Sequence, residues 1–234
     1  MRFHWLQNIA FEDAANVGVW AAERGHEVTA TRLYAGQALP HLDEIDALAI
    51  MGGPMNVYQY RDYPWLIEEK RFIERAVRLG VPTVGVCLGA QLIADVLGAK
   101  VTQNREIEIG WFDITLTPDA ADVPLAQALP ERFLAFSWHG DTFEIPTGAT
   151  HLAQSEACAN QAFVYARNVL ALQFHLDYSA ESIGRMLAHC DNELVEGPFI
   201  QNQTQITANL AQTEETCRRL FALLDGFFDP EPAR

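Results

Sequence analysis

Gly85-Val86-Cys87-Leu88-Gly89-Ala90-Gln91 sets a cysteine between two glycines where an apolar strand pattern meets an apolar helical one. The run from Val81 to Val86 is apolar, β-branched and carries a proline near its start, so it reads as a buried strand. Gln91 to Leu97, closed by Gly98, reads as a helix. Cys87 is therefore predicted on the turn between them. Residues without a Cβ on either side permit a sharp strand-to-helix turn, which lifts the central side chain outward. The sulfur would also sit at a helix N-terminus, where free N–H groups and the helix dipole favour the reactive thiolate. A small cysteine buried in the core is the ordinary alternative for such an apolar run. It gives no reason for glycine on both sides, whereas a strained elbow does.

The flanking segments place this turn in an alternating pattern. Arg2 to Leu6, Glu27 to Leu33 and Ile45 to Met51 read as strands; Asp13 to Arg24 and Trp65 to Leu79 read as helices closed by Gly25 and Gly80. Strands separated by helices imply an open, mostly parallel α/β sheet flanked by helices, a flavodoxin-like three-layer arrangement. After Gly98 the rhythm changes. Lys100 to Gln103, Gly110 to Thr117 and Arg132 to Phe136 read as strands with little helix between them, which predicts a partly antiparallel extension. Val169 to Phe174 returns as strand, followed by helix from Ala180 to about Leu194 and a long helical pattern from Thr204 to Phe228. No linker composition or internal repeat divides the chain, so a single domain is expected over residues 1–234.

The 234 residues are 49% hydrophobic, enough for one large core, and carry a net charge of -15. That acidity argues against nucleic acid or an anionic membrane as partner, since those are bound by basic patches. No signal segment or membrane-length apolar stretch is seen, and a cytoplasmic location is expected. Cys87, Cys158, Cys190 and Cys217 lack disulfide-framework or zinc spacing, so free thiols, no metal and no cofactor are expected.

In open α/β sheets, ligands bind past the carboxyl ends of strands. Besides Cys87, three segments fall there: Gly52-Gly53-Pro54-Met55-Asn56, Ser137-Trp138-His139-Gly140-Asp141-Thr142-Phe143, and His175-Leu176-Asp177. A cysteine nucleophile needs a base, and the base needs an orienting group. In extended backbone His175 and Asp177 share a face, so the carboxylate can hold the imidazole. Acyl chemistry also needs close-approaching backbone N–H donors, which Gly52, Gly53 and the residue after the nucleophile, Leu88, would supply as an oxyanion hole. A turn is the ordinary reading of Gly52-Gly53-Pro54 taken alone.

Taken in order, Gly52-Gly53-Pro54, residues 85–91, Glu108-Ile109-Gly110-Trp111, His139-Gly140-Asp141 and Gln173-Phe174-His175-Leu176-Asp177 resemble the class I, triad-type glutamine amidotransferase family. Within that family the segments resemble the glutaminase domain of GMP synthetase. The resemblance implies that Cys87 attacks the glutamine γ-carboxamide, His175 moves the protons and Asp177 orients His175. It also implies that Gln91 holds the amino-acid end, with Trp138, His139, Gly140 and Asp141 lining the pocket. The family usually ends its last motif His-Pro-Glu; here Asp177 is a methylene shorter, so the backbone must sit closer or the orienting bond weaken. Trp138 stands where the synthetase branch has a small polar residue, which bears on substrate choice.

The expected reaction is cysteine-dependent hydrolysis of glutamine through a γ-glutamyl thioester, with ammonia passed to a separate synthetase. No Gly-x-x-x-x-Gly-Lys-[Ser/Thr] segment accompanies the motifs, so neither nucleotide site nor acceptor is expected on this chain. A stand-alone hydrolase of γ-glutamyl peptides or amines is the alternative. A dienelactone-hydrolase-like α/β-hydrolase with a Gly-x-Cys-x-Gly elbow is a lower one, since Gln91 and Gly52-Gly53-Pro54 would then have no role. A non-catalytic acidic module with Cys87 as a redox sensor is weaker still.

His4, His26, His41, His151 and His189 lack partners at ligand spacing and read as structural or solvent-facing; Trp5, Trp20, Trp65 and Trp111 read as core. The Tyr-rich Met55 to Tyr63 segment reads as surface packing or a lid. The apolar face of the terminal helix, Ile206, Leu210, Cys217, Leu220, Phe221 and Leu224, reads as a core cover with a partner dock as the alternative.

Overall fold

The computed structural model describes residues 1–228; the last six residues of the expected single domain lie outside the described residues. Strands β1 (Arg2–Gln7), β2 (Glu27–Arg32), β3 (Ala47–Ile50), β4 (Thr83–Val86), β5 (Val101–Leu116), β6 (Arg132–Phe143), β7 (Ala149–Gln154), β8 (Ala162–Tyr165) and β9 (Val169–Leu172) form one sheet. Its order is β2-β1-β3-β4-β9-β8-β7-β5-β6. The first five in that order are parallel and the rest antiparallel. The open parallel half with an antiparallel extension is the arrangement the sequence predicts.

Alternation along the strands builds the three layers. Phe3, Ala47 and Ala49 face α1 (Ala15–Glu23) and α6 (Gln212–Phe228) in one core cluster with Trp20, Leu220 and Leu224. Leu6, Leu48 and Ile50 face α2 (Trp65–Arg78) and α3 (Leu88–Val96) in another, with Phe72, Ile73, Leu92 and Ile93. A third cluster, around Trp111, Phe136, Trp138 and Tyr178, packs α4 (Ala180–His189) and α5 (Gln203–Ala208) beside the antiparallel end. The terminal helical pattern is thus a core cover, broken into α5 and α6 between Asn209 and Ala211.

Three sequence readings are corrected. Lys100 to Gln103 and Gly110 to Thr117 are not two strands but parts of β5, which runs through an irregularity between Gln103 and Glu108. The polar run Asn104-Arg105-Glu106 at that bulge is what imitates a loop. β6 does not stop at Phe136 but continues to Phe143, so Trp138 to Asp141 lie within a strand rather than past one. The helix after Ala180 ends at His189 instead of about Leu194, a short 3-10 turn covering Asp191–Glu193. β7 and β8 have no counterpart in the sequence reading.

The segment after β9 closes the fold around the site. His175 N–H donates to the Phe136 carbonyl at 2.7 Å and Phe136 N–H to the His175 carbonyl at 3.2 Å. β6 is thereby tied back to the end of β9, beside the turn that follows β4.

Candidate active site

Cys87 sits between β4 and α3 with φ 53 and ψ -110, a backbone conformation that a non-glycine residue rarely holds. Its own N–H donates to the Leu172 carbonyl at 2.8 Å, which pins the turn to the end of β9. The strain falls on the cysteine, and the flanking glycines do something else. A Cβ on Gly85 would lie 2.6 Å from the backbone of Gly89, and one on Gly89 would lie 2.7 Å from the Ile50 carbonyl carbon. The two glycines let α3 approach β4 and β3 closely, which turns the elbow and aims Cys87 into a cavity. This cavity is about 130 Å³. Such strain persists only where surrounding structure over-determines it, and it clusters at functional sites.

His175 and Asp177, both 1% exposed, are brought together beside this turn: Nδ1 of His175 and Oδ1 of Asp177 are 3.0 Å apart. The shorter aspartate therefore reaches its histidine. Burial pulls the His175 pKa down, but the Asp177 carboxylate, its hydrogen bond and the nearby Cys87 outweigh it and raise the value to about 10. The other ring nitrogen, Nε2, is buried and makes no hydrogen bond of regular geometry, although Cys87 is near enough to strengthen its hold on a proton. Tyr178 stacks on the imidazole with ring centroids 3.9 Å apart and donates its O–H to Glu12 Oε2 at 2.8 Å.

Leu88 is the first residue of α3, so its N–H has no carbonyl one turn earlier to bond. Gly52 and Gly53 lie beside it: a Cβ on Gly52 would meet Cys87 Cβ at 3.7 Å and the Glu12 carboxyl at closer range, and one on Gly53 would meet Leu88 Cδ2 at 3.2 Å. Among the described residues no acceptor takes the Gly53 N–H. Beneath the loop, Asn8 Nδ2 donates to Glu69 Oε1 at 3.1 Å and Trp65 Nε1 to Asn8 Oδ1 at 3.1 Å. Glu69 is fully buried, and burial raises its pKa to about 8 against the smaller opposing effects of Asn8 and Lys70.

The remaining predicted site residues divide by what their polar atoms already do. Gln91 and Asp141 line the cavity, but Gln91 Nε2 is engaged by Gln173 Oε1 at 3.0 Å and the Asp141 carbonyl at 3.3 Å. Asp141 Oδ2 accepts from Asn56 at 2.5 Å and Tyr58 at 3.2 Å, so the Met55 to Tyr63 segment leans across to β6. Both ring nitrogens of His139 are committed, Nε2 to Glu108 Oε2 at 2.9 Å and Nδ1 to the Asp141 carbonyl at 3.0 Å, which leaves it a structural member of the wall. Burial pushes the Glu108 carboxyl up, yet bonds from His139, Ser155 and Gln161 outweigh that and hold it below its ordinary range. Gly140 lies on the wall near Ile107, and Trp138 places its carbonyl 3.7 Å from Cys87 Sγ while Nε1 donates to Glu193 Oε2 at 2.9 Å.

Glu12, Tyr178, Met186 and Glu193 also line the cavity and are missing from the sequence reading, and so does Cys190, which the sequence gives only as a free thiol. Glu12 lies in the loop after β1, at the same edge of the sheet as the other segments, so the strand-end rule applied to every strand would have reached it. Glu193 belongs to the 3-10 turn that the sequence pattern hides inside a helix. Among the described residues no group of three or more His, Cys, Asp or Glu is placed to hold a metal ion, and no helix is long and apolar enough to cross a membrane.

Comparison with known proteins adds an independent line. The glutamine amidotransferase class-I family profile matches residues 16–191. The chain is 34% identical over 233 residues, 96% of each, to the glutamine amidotransferase-like protein YfeJ of Salmonella typhimurium. It is 32% identical over 155 residues to the glutamine-hydrolyzing GMP synthase of Thermomicrobium roseum, covering 64% of this chain but 26% of that protein. The chain thus spans about a quarter of that synthase. A glutamine amidotransferase of Thermotoga maritima has the same fold with a TM-score of 0.88 and 29% identity over 98% of both chains. One from Methylobacillus flagellatus superimposes with a TM-score of 0.90 and 28% identity, over 99% of this chain and 96% of the other.

Proposed function

Because the chain belongs to the class I glutamine amidotransferase family, we propose that Cys87, His175 and Asp177 are its catalytic triad and cleave a γ-glutamyl amide through a covalent thioester. The observation that carries this is the convergence of three things beside the cavity that Cys87 lines. Cys87 is strained at the elbow, His175 Nε2 is buried, unbonded and near it, and Asp177 stands 3.0 Å from the far ring nitrogen.

The sulfur of Cys87, its proton taken by His175, attacks the γ-carbonyl carbon. The oxygen of the tetrahedral intermediate gains negative charge where the Leu88 N–H and the Gly52-Gly53 loop, through the Gly53 N–H, supply donors, an arrangement worth several kcal/mol in such sites. The C–N bond breaks as His175 returns its proton to the departing nitrogen, leaving a γ-glutamyl thioester on Cys87. Water, deprotonated by His175, then attacks the thioester carbon; the C–S bond breaks, glutamate leaves and the thiol is restored. Asp177 holds the ring in one orientation and favours the imidazolium that forms twice in the cycle. Gln91, through its bonds to Gln173 and Asp141, fixes the floor on which the amino-acid end rests. No cofactor is needed for any step.

With glutamine as substrate the departing nitrogen is ammonia, and a separate synthetase is its acceptor. The second reading is a stand-alone hydrolase of γ-glutamyl amides, favoured by the carboxyl side chains of Glu12 and Glu193 on the cavity wall. Free thiols at all four cysteines suit a reducing cytoplasm. Ammonia and glutamate release by the purified protein, with Cys87→Ser alongside, tests the reaction. Loss of both products in the variant supports the triad, and unchanged turnover contradicts it.

A further inference from the structure

Glu12, Asp141 and Glu193 line the cavity that holds Cys87, and among the described residues no Lys or Arg does. Asp141 is occupied by Asn56 and Tyr58. The other two carboxyls are each anchored through a single oxygen by an aromatic donor: Tyr178 Oη to Glu12 Oε2 at 2.8 Å and Trp138 Nε1 to Glu193 Oε2 at 2.9 Å. Their Oε1 atoms take no hydrogen bond from the described residues. Glu12 is only 6% exposed, so its free oxygen belongs to a buried side chain on the cavity wall, whereas Glu193 is exposed at the rim.

The position of this pair relative to the base gives it a direction. The departing nitrogen receives its proton from His175, so a substituent on it starts beside His175, close to Tyr178 and Glu12 on the cavity wall. Tyr178, stacked on His175, hands the chain of contacts on to Glu12, and Glu193 is close enough for its charge to act on Glu12. Burial, first among the causes, pushes the Glu12 carboxyl up; the charges of Asp177 and Glu193 add to this, while His175 and the Tyr178 hydrogen bond oppose it only in part, so a cation arriving on the cavity side would favour its charged form. Carboxylates and aromatic faces together are the surroundings that an alkylammonium group favours.

Resting on the reaction proposed above, we propose that the Glu12–Tyr178 and Glu193–Trp138 wall selects the leaving group. The preferred substrates are γ-glutamyl amides whose departing amine carries a second, positively charged nitrogen. Hydrolysis adds water across the C–N bond, releasing glutamate and a diamine-type product whose new N–H comes from His175. Amines ending in a carboxylate meet two like charges on the same wall and are rejected.

The test uses the full chain and three γ-glutamyl amides of similar length, those of putrescine, n-butylamine and γ-aminobutyrate, with glutamate release giving kcat/KM for each. The putrescine amide is expected to exceed the butylamine amide roughly tenfold or more, the scale of one partly buried ammonium–carboxylate contact, and the γ-aminobutyrate amide to be poorest. Glu12→Gln keeps an oxygen for Tyr178 while removing the charge, so it and Glu193→Gln should each bring the putrescine-to-butylamine ratio toward one. Binding of the two amides to Cys87→Ser protein should show the same ratio and the same loss. A ratio near one in the parent protein, or a ratio that survives both substitutions, overturns the leaving-group reading. If Cys87→Ser abolishes turnover while the ratio is one, only this inference fails. If Cys87→Ser leaves turnover intact, the underlying reaction fails with it.

Discussion

Gly89→Ala puts a methyl group where α3 crosses β3, and the structure sets its cost. The added Cβ would lie 2.7 Å from the Ile50 carbonyl carbon, with the carbonyl oxygen closer still, and both belong to backbone that cannot rotate away. Carbon–carbon contacts rest at roughly 3.5–4.0 Å, so helix and strand must part by roughly 1 Å. Overpacking of this kind costs about 1–3 kcal/mol, and a backbone neighbour places it at the upper end. Alanine in a helix interior returns up to about 1 kcal/mol relative to glycine. The net loss is then about 2 kcal/mol, or roughly 4–8 °C in Tm for a chain of this size. Gly184→Ala is the internal control: it is also helical, but a Cβ there meets nothing within 4 Å. It should hold Tm level or raise it by a few degrees, about 2–4 °C. Thermal unfolding of the two variants beside the parent decides the matter. A Gly89→Ala protein as stable as the parent would refute the claim that close approach of α3 to the sheet is why glycine stands after the cysteine.

Other perturbations probe the charged and polar groups. Asp177→Asn removes the charge that opposes burial at His175, so activity should fall roughly 10²–10⁴-fold and the alkaline limb of the kcat/KM profile should move to lower pH; an unmoved limb contradicts the assignment. Because the folded His175 pKa is raised from 6.5 to about 10, its contribution to stability is complete below 6.5 and is lost as pH rises through 10, which pH-dependent denaturant unfolding of parent and Asp177→Asn can read. Glu69 has the same sign for a different reason: burial lifts its pKa from 4.5 to about 8, so stability falls as pH rises across that window, and Glu69→Gln should flatten the dependence. A Glu69→Gln protein with the parent's slope would contradict it. Tyr178→Phe keeps the ring on His175 but leaves the buried Glu12 oxygen without its donor, and urea unfolding should show a loss of about 1–3 kcal/mol, against no change if the bond is not made.

The parallel half of the fold was legible because its signals are local. Apolar strands, helical spacing and closing glycines at 25, 80 and 98, all with positive φ, coincide with α1, α2 and α3. The antiparallel half obeys longer-range pairing. β5 continues through Asn104-Arg105-Glu106 only because β6 resumes pairing at Glu108 with His139, a fact no local window contains. β7, Ala149 to Gln154, mixes polar with apolar residues and β8, Ala162 to Tyr165, is only four residues long, so pairing of β7 with β5 and β8, and of β8 with β9, is what makes them strands. The site follows the same division. Cys87, His175 and Asp177 carry residue types and spacing that announce chemistry. Glu12 is a lone carboxyl in a loop, and its meaning comes from Gly52, Tyr178 and Glu193, which the chain supplies from far away. The glycines around Cys87 stand out in the sequence as turn formers, but the positive φ belongs to Cys87 and the glycines serve packing.

The most direct test of the central claim is acid-quench mass spectrometry of the protein caught during turnover of glutamine or a γ-glutamyl amide. The account predicts one γ-glutamyl group per chain, labile to hydroxylamine as a thioester is, on the peptide containing Cys87 and absent from Cys87→Ser. Turnover that proceeds in Cys87→Ser, or an acyl group carried on any other residue, would contradict it.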